Sequence, residues 1–324
     1  MLHSIILPIA IGFALFLSGM KLMELALHRL AGTQLNRILQ RFTATPIHGL
    51  AAGAISTAFL QSSTAVTVIS IGLVNAGLLT FPRTLGIILG TNIGTCLTTE
   101  LLGLSLERLT MPLLILSVSA WLLTALLGEL QLIPALRTGG WLNTIRSASI
   151  ATLGFGILLA GMAMMQSVGP DIQQSAMFDW FMSKTADSLW WGLAAGAVLT
   201  AAVHSSTAVI AIIMGFAAIG AMPLEVGIAV VLGANIGTCI TALLASISGS
   251  RAGQFVALAH ITLNVGGALL FMPFVGLLAG LSAWLTAAPA AQIAHAQTLF
   301  NIFSSLLALP LCYLPALRRM PRQD

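Results

Sequence analysis

Polar and apolar positions in this chain alternate on neither the two-residue period of strands nor the one-sided period of surface helices. Apolar runs of about twenty residues follow one another from end to end, the length that crosses a hydrocarbon core about 30 Å thick. The first part of the chain predicts an apolar helix at 4–22, an amphipathic basic stretch at 24–42 too charged to span, and apolar helices at 84–105 and 110–130. The later part predicts a helix at 150–167, a surface helix bearing Asp171, Asp179, Lys184 and Asp187, helices at 225–247 and 254–283, and a last one at 292–315. The pattern is that of an all-α polytopic membrane protein.

Between Phe42 and Pro82 lies an uncharged stretch whose most polar residues sit at its centre. GLAAGAISTAFLQSSTAV (Gly49–Val66) returns almost unchanged as GLAAGAVLTAAVHSSTAV (Gly192–Val209). GFALFLSGMKLM (Gly12–Met23) likewise returns as GFGILLAGMAMM (Gly154–Met165), so the chain is a duplication whose unit is near 140 residues. As one spanning helix the stretch would hold Gln61, Ser62, Ser63 and Thr64 in hydrocarbon, whereas a re-entrant helical hairpin places them at its tip. The residues from Gly49 to Leu60 would reach roughly 18 Å at about 1.5 Å each, bringing the tip near the membrane midplane. A hairpin makes no net crossing, which leaves three crossings per copy, and an odd number inserts the second copy upside down. The expected organisation is repeat 1 at 1–136 (hairpin 47–78, broken helix 84–105), a linker at 137–149, and repeat 2 at 150–316 (hairpin 192–220, broken helix 225–247, final helix). A basic tail follows at 317–324.

Composition agrees: of 324 residues 58% are hydrophobic and 7% charged, against roughly a quarter charged in a soluble domain. The excess of four positive charges is scattered singly, which excludes a nucleic-acid surface and reports topology instead. On the hairpin scheme Lys21, Arg29, Arg37, Arg41, Arg83, Arg137, Arg146, Arg251, Arg318, Arg319 and Arg322 share one face, and only Arg108 and Lys184 the other. The positive-inside rule then puts the N-terminus outside and the C-terminus in the cytoplasm, in the plasma or inner membrane. The apolar start lacks the basic flank and cleavage site of a signal peptide, so it is expected to be a retained helix, and no soluble domain is expected. Three cysteines make no disulfide scaffold, and Cys96 and Cys239, at equivalent apolar positions, read as reduced packing residues.

The chemistry concentrates where polar groups interrupt apolar runs. Each hairpin precedes a second copied motif, GTNIGT (Gly90–Thr95) and GANIGT (Gly233–Thr238), with Asn92 following Gln61 and Asn235 following His204 by 31 positions. Glycines around an Asn-Ile pair predict a break in the helix, which a membrane accepts only where a cavity or ligand satisfies the freed backbone. Hydroxyls of Ser62, Ser63, Ser205 and Ser206, amides of Gln61, Asn92 and Asn235, the His204 ring and helix N-terminal N–H groups suit a small oxyanion, while carbonyls and hydroxyls suit Na⁺. Neither hairpin holds Lys or Arg, so a bound anion would be compensated by a mobile cation, and a neutral cage empties without stranding a buried charge.

QSST, HSST and the paired NIGT motifs resemble the duplicated signatures of the type II sodium/phosphate cotransporters, and ALAHITLN (Ala257–Asn264) is similar to that family's Ala-x-x-His-x-x-x-Asn segment. The similarity covers both cores, about 49–105 and 192–272, and looks like a bacterial member without an appended PhoU-type regulatory domain. It implies a secondary active transporter, a sodium-coupled symporter of inorganic phosphate, with sodium as co-transported ion and no organic cofactor. Phosphate contacts are implied for Gln61, Ser62, Ser63, His204, Ser205, Ser206, Asn92 and Asn235. Sodium contacts are implied for Ser62, Thr64, Asn92, Thr95, Ser205, Thr207, Asn235 and Thr238. The chain departs from the family in Thr64 and Thr207, where a third serine is usual, and in His204, where glutamine is usual; histidine titrates near neutrality and glutamine does not.

His260 and Asn264 fall on one helical face and, with His295 and Asn301, are expected either to border the site or to join helices by hydrogen bonds. Glu100 invites a coupling role, but the second copy has Leu243 there, which favours a structural or interfacial one. Adjacent His204 and Ser205 raise an intramembrane hydrolase, which geometry disfavours: helix neighbours do not face each other, no orienting acid recurs nearby, and the copy with Gln61 would have no base at all. A carrier of another oxyanion, or an anion channel that does not saturate, remains the alternative.

Overall fold

The computed structural model describes residues 5–31, 34–129, 140–247 and 251–315. In chain order its helices are α1 (Leu7–Ala31), α2 (Gln34–Arg41), α3 (Pro46–Leu60), α4 (Ser63–Asn75), α5 (Phe81–Gly103), α6 (Thr110–Glu129), α7 (Trp141–Ser167) and α8 (Gly169–Gln173). There follow α9 (Ala176–Asp187), α10 (Trp190–Val203), α11 (Ser206–Ala218), α12 (Leu224–Gly237), α13 (Cys239–Ser246), α14 (Arg251–Phe271), α15 (Val275–Leu285) and α16 (Pro289–Ala308). Among the described residues no strand occurs, and seven helical stretches are long and apolar enough to cross a membrane. The chain is an all-α, multi-pass membrane protein. Arg137, Arg318, Arg319, Arg322 and the tail at 317–324 lie outside the described residues.

The helices gather into two compact units, residues 1–32 with 105–168 and residues 33–104 with 169–324, each drawing on both copies of the repeat. In the first unit α1 packs along α7. A Cβ on Gly19 would stand 2.5 Å from the carbonyl oxygen of Gly154, and one on Gly161 2.5 Å from that of Gly12, so only glycine permits the approach. Rising numbers on α1 meet falling numbers on α7, which makes the pair antiparallel. Gly12 and Gly154 are repeat equivalents, as are Gly19 and Gly161, so equivalent helices of the two copies run in opposite directions. This is the relation inverted repeats require.

In the second unit each hairpin is two short helices. α3 and α4 have 15 and 13 residues, α10 and α11 14 and 13, so none exceeds about 23 Å at 1.5 Å per residue, and none spans. Thr45 and Pro46 start α3, the hydroxyl accepting from His48 N–H and the proline occupying the first turn. The chain then reverses in two residues. Gln61 takes the left-handed conformation (φ 56°) and its N–H reaches Thr57 C=O at 2.8 Å; Ser62 is extended and its Oγ accepts from Ala65 N–H at 3.3 Å. His204 (φ 58°) and Ser205 repeat this turn, with matching bonds to Thr200 C=O and from Ala208 N–H. The copied Gln/His-Ser pair is therefore a helix C-cap followed by an N-cap.

The expected break in the first copy is absent: α5 runs unbroken through Gly90–Thr95. Its glycines serve packing instead. Gly86, Gly90 and Gly94 lie against the carbonyls of Pro46, Leu50 and Ala54, where any Cβ would overlap α3 backbone, and the two helices run parallel. In the second copy Gly233 and Gly237 lie on α10 in the same way, and the helix is interrupted only at Thr238, between α12 and α13. Three further boundaries move. The helix placed at 4–22 continues to Ala31, since no Gly or Pro lies between Met23 and Leu30 and the Lys21–Glu24 pair stays on its surface. α7 starts at Trp141, so much of the expected linker is helix. The stretch 254–283 is α14 and α15 joined by a 3₁₀ turn at Met272–Phe274.

Candidate functional site

A polar cavity opens in the second unit where α4, α5, α11, α12, α14 and α16 meet. Its walls include Ser63, Thr64 and Thr67 from α4, Asn92 and Thr95 from α5, and Ser206 from α11, with Asn235, Thr238 and Thr241 from the α12–α13 helix. His260 of α14 and Gln297 and Asn301 of α16 complete the polar lining, and among the described residues no Lys, Arg, Asp or Glu contributes. Helices α4 and α11 begin at this cavity. Each leaves first-turn N–H groups without an intrahelical acceptor and brings the positive end of a helix dipole to a space with no fixed charge.

A hydrogen-bonded chain ties both NIGT motifs together across the cavity wall. Asn92 Nδ2 donates to Asn264 Oδ1 at 2.6 Å, and Asn264 Nδ2 reaches Asn235 C=O at 3.3 Å and Thr238 Oγ1 at 3.4 Å. Asn301 Nδ2 donates to Cys96 Sγ at 3.3 Å, while Thr99 Oγ1 donates to Gln297 Oε1 at 2.6 Å. Against this bonded background some lining atoms stand alone. His260 is 5% exposed and neither ring nitrogen has a partner; Asn301 is 2% exposed and its Oδ1 has none; Thr67 Oγ1 is in the same position. An unpartnered buried polar group costs about 1–3 kcal/mol, so three of them facing one cavity mark a place where a polar guest restores the missing bonds.

Of the residues expected from sequence, Ser63, Thr64, Asn92, Thr95, Ser206, Asn235, Thr238, His260 and Asn301 meet at this cavity. Gln61, Ser62, His204, Ser205 and Thr207 are not in its lining. The tips reach it through Ser63, Thr64 and Ser206 in the first turns of α4 and α11, whereas the turn residues before them use their groups in the turn. Ser62 and Ser205 cap helices, and Gln61 donates through Nε2 to Ala58 C=O and accepts at Oε1 from Thr98. Thr98 lies six residues beyond Asn92 on α5, so the tip passes the centre of that helix rather than stopping beside it. His204 is exposed and Thr207 buried. Asn264 stands behind Asn92 as a bridge. Sequence reasoning missed Thr67, Thr241 and Gln297. Spacing would have found two of them, since Thr67 is one turn after Ser63 and Gln297 one turn before Asn301.

The model of the Na⁺/Pi-cotransporter family matches the chain twice, at residues 15–167 and 157–309. The chain belongs to the Na⁺/Pi-cotransporter family. It is a transporter and not an enzyme, and the two overlapping matches bear out the internal repeat. Over 305 residues it is 36% identical to "Uncharacterized protein YqeW" of Bacillus subtilis, covering 91% of each chain. Over 300 residues it is 28% identical to "Putative inorganic phosphate export protein YjbB" of Escherichia coli K12, covering 92% of this chain and 52% of that one. The chain thus spans about half the length of YjbB. No solved structure matches it significantly.

Proposed function

We propose that this protein is a secondary carrier of inorganic phosphate coupled to sodium, working by alternating access through the cavity between the two NIGT motifs. The observation that carries the reading is the neutral cavity at the starts of α4 and α11, where the His260 ring nitrogens, Asn301 Oδ1 and Thr67 Oγ1 are buried without partners. Donors supplied by helix N-termini, hydroxyls and an imidazole suit a tetrahedral oxyanion. Acceptors supplied by Asn301 Oδ1 and by threonine and serine oxygens suit a hard cation beside it. Anion and cation entering together leave the cavity neutral in both its loaded and empty states, which removes the penalty of a stranded charge in the membrane.

Family membership and the phosphate in the printed name of YjbB support the same substrate, and that name's word "export" concerns direction. A coupled carrier runs either way according to its gradients, so the cavity itself does not favour one. The charge distribution supports an N-terminus outside and a C-terminus in the cytoplasm of the plasma or inner membrane. Purified protein in liposomes tests the function: labelled phosphate should accumulate under an imposed sodium gradient, and unlabelled sulfate should compete poorly. Equal uptake under sodium and potassium gradients would refute sodium coupling, and uptake that rises without saturation would make the protein a channel.

A further inference from the structure

Away from the cavity lining, α5 and α16 are joined by a carboxylate and an imidazole. His295 Nδ1 lies 2.8 Å from Glu100 Oε2, and Thr298 Oγ1 donates to the other carboxylate oxygen. Among the described residues this is the one ion pair that links two helices, the other two being three residues apart within single helices. Both partners are half-buried inside stretches apolar enough to span a membrane. An ionisable pair there needs a reason, since burying it in place of apolar packing gains little stability.

We propose that Glu100 and His295 form a proton site, which takes up a proton when the anion binds and releases it when the anion leaves. With a neutral imidazole donating to the carboxylate, the pair carries one negative charge. A proton added to the free ring nitrogen gives an imidazolium–carboxylate pair with no net charge and a stronger, charge-assisted hydrogen bond. Only that N–H bond forms or breaks, and the proton comes from and returns to water. The connection to the cavity is short. Glu100 adjoins Thr99, whose hydroxyl holds the cavity residue Gln297, and Gln297 lies two residues after His295 on α16. An anion bound in the cavity disfavours a second negative charge behind its wall, so anion and proton enter together, as symport.

The other ionisable groups nearby do not replace this pair. α5 contributes Cys96, one turn before Glu100, and Arg83 near its opposite end. Of the elements packed on α5 and α16, α3 carries His48, α12 Glu225, α14 Arg251 and His260, and the turn at Leu309–Tyr313 Cys312 and Tyr313. α4, α11 and α15 carry none. Among the described residues no other charged group lies within ion-pair distance of Glu100 or His295.

The inference rests on the reading of the chain as a phosphate carrier, and liposomes with the membrane potential clamped at zero separate the two. Three rates are measured for wild type, Glu100→Gln and His295→Gln: phosphate exchange at equal pH, accumulation driven by sodium, and accumulation driven by an acidic exterior. The variants should keep exchange within about threefold while losing at least about tenfold of the pH-driven accumulation. Titration of phosphate itself contributes equally to all three proteins. An unchanged pH-driven response in both variants overturns the proton site, and loss of exchange along with it reduces the pair to a strut between helices. A wild type without phosphate exchange overturns the carrier reading and the coupling built on it.

Discussion

Asn264 joins the two copies of one motif: it accepts from Asn92 Nδ2 at 2.6 Å and donates to the carbonyl of Asn235 at 3.3 Å. Both asparagines line the cavity while Asn264 lies behind them, only 1% exposed. Asn264→Ala should therefore act through position. Transport should fall at least about tenfold, with stability reduced by about 1 kcal/mol, the scale of an interhelical hydrogen bond in a membrane protein. Phosphate uptake and thermal unfolding in detergent check this, and normal uptake would show that the two motifs need no bridge.

Gln61 is tied to Thr98, fixing the tip of the first hairpin on α5. Gln61→Ala and Thr98→Val should each lower transport, and the double variant should be no worse than the more damaged single one, because both remove one interaction. Additive losses would mean that Gln61 acts on substrate independently of Thr98.

His204, the equivalent of Gln61, is exposed and stands outside the cavity lining. His204→Gln should retain sodium-driven uptake within about threefold, whereas His260→Ala, which empties a cavity wall, should lose it. Equal damage by both would place the second hairpin tip in the substrate path.

Gly90 and Gly233 sit where an added methyl would overlap the carbonyls of Leu50 and Leu193, and Gly72 has open space around it. Gly90→Ala and Gly233→Ala should each destabilise the protein by about 1–3 kcal/mol through overpacking. Gly72→Ala, within a helix, should be neutral or stabilise by up to about 1 kcal/mol. Unfolding temperatures in one detergent compare the three, and equal temperatures would contradict the helix contacts.

These glycines show where the sequence was legible and where it was not. The duplication, the apolar spans and the short hairpins followed from pattern and length, since a membrane forces helices to a fixed reach. GTNIGT was misread as a break in α5 because glycine weakens an isolated helix, whereas here its missing side chain lets two helices touch; only the partner backbone distinguishes these roles. Within each hairpin tip, sequence does not separate Ser63, Thr64 and Ser206, which line the cavity, from Gln61, Ser62 and Ser205, whose groups cap helices or bond to neighbours. For His260 the sequence allows both a site role and an interhelical bond, and only its packed neighbours show that its ring nitrogens have no partner.

All three native cysteines are buried, so impermeant thiol reagents report introduced ones against a low background. With the C-terminus inside, a cysteine replacing exposed Asp179 should react from the exterior and one replacing exposed Arg251 should not. The reverse pattern would invert the orientation and leave the fold unchanged.

The antiparallel contact of α1 and α7 has the form of a two-fold subunit interface held within one chain, because Gly12 meets Gly161 as Gly154 meets Gly19. Two separate half-length chains would need enough contact energy to find each other, and each would have to insert in opposite senses. Fusion replaces that encounter with a high effective concentration, so a narrow seam of glycines suffices where free halves would need a broad interface. It also frees the copies to diverge: Glu100 in one and Leu243 in the other is a difference that identical subunits could not hold, and it gives a symmetric frame an ionisable position in one copy that has no counterpart in the other.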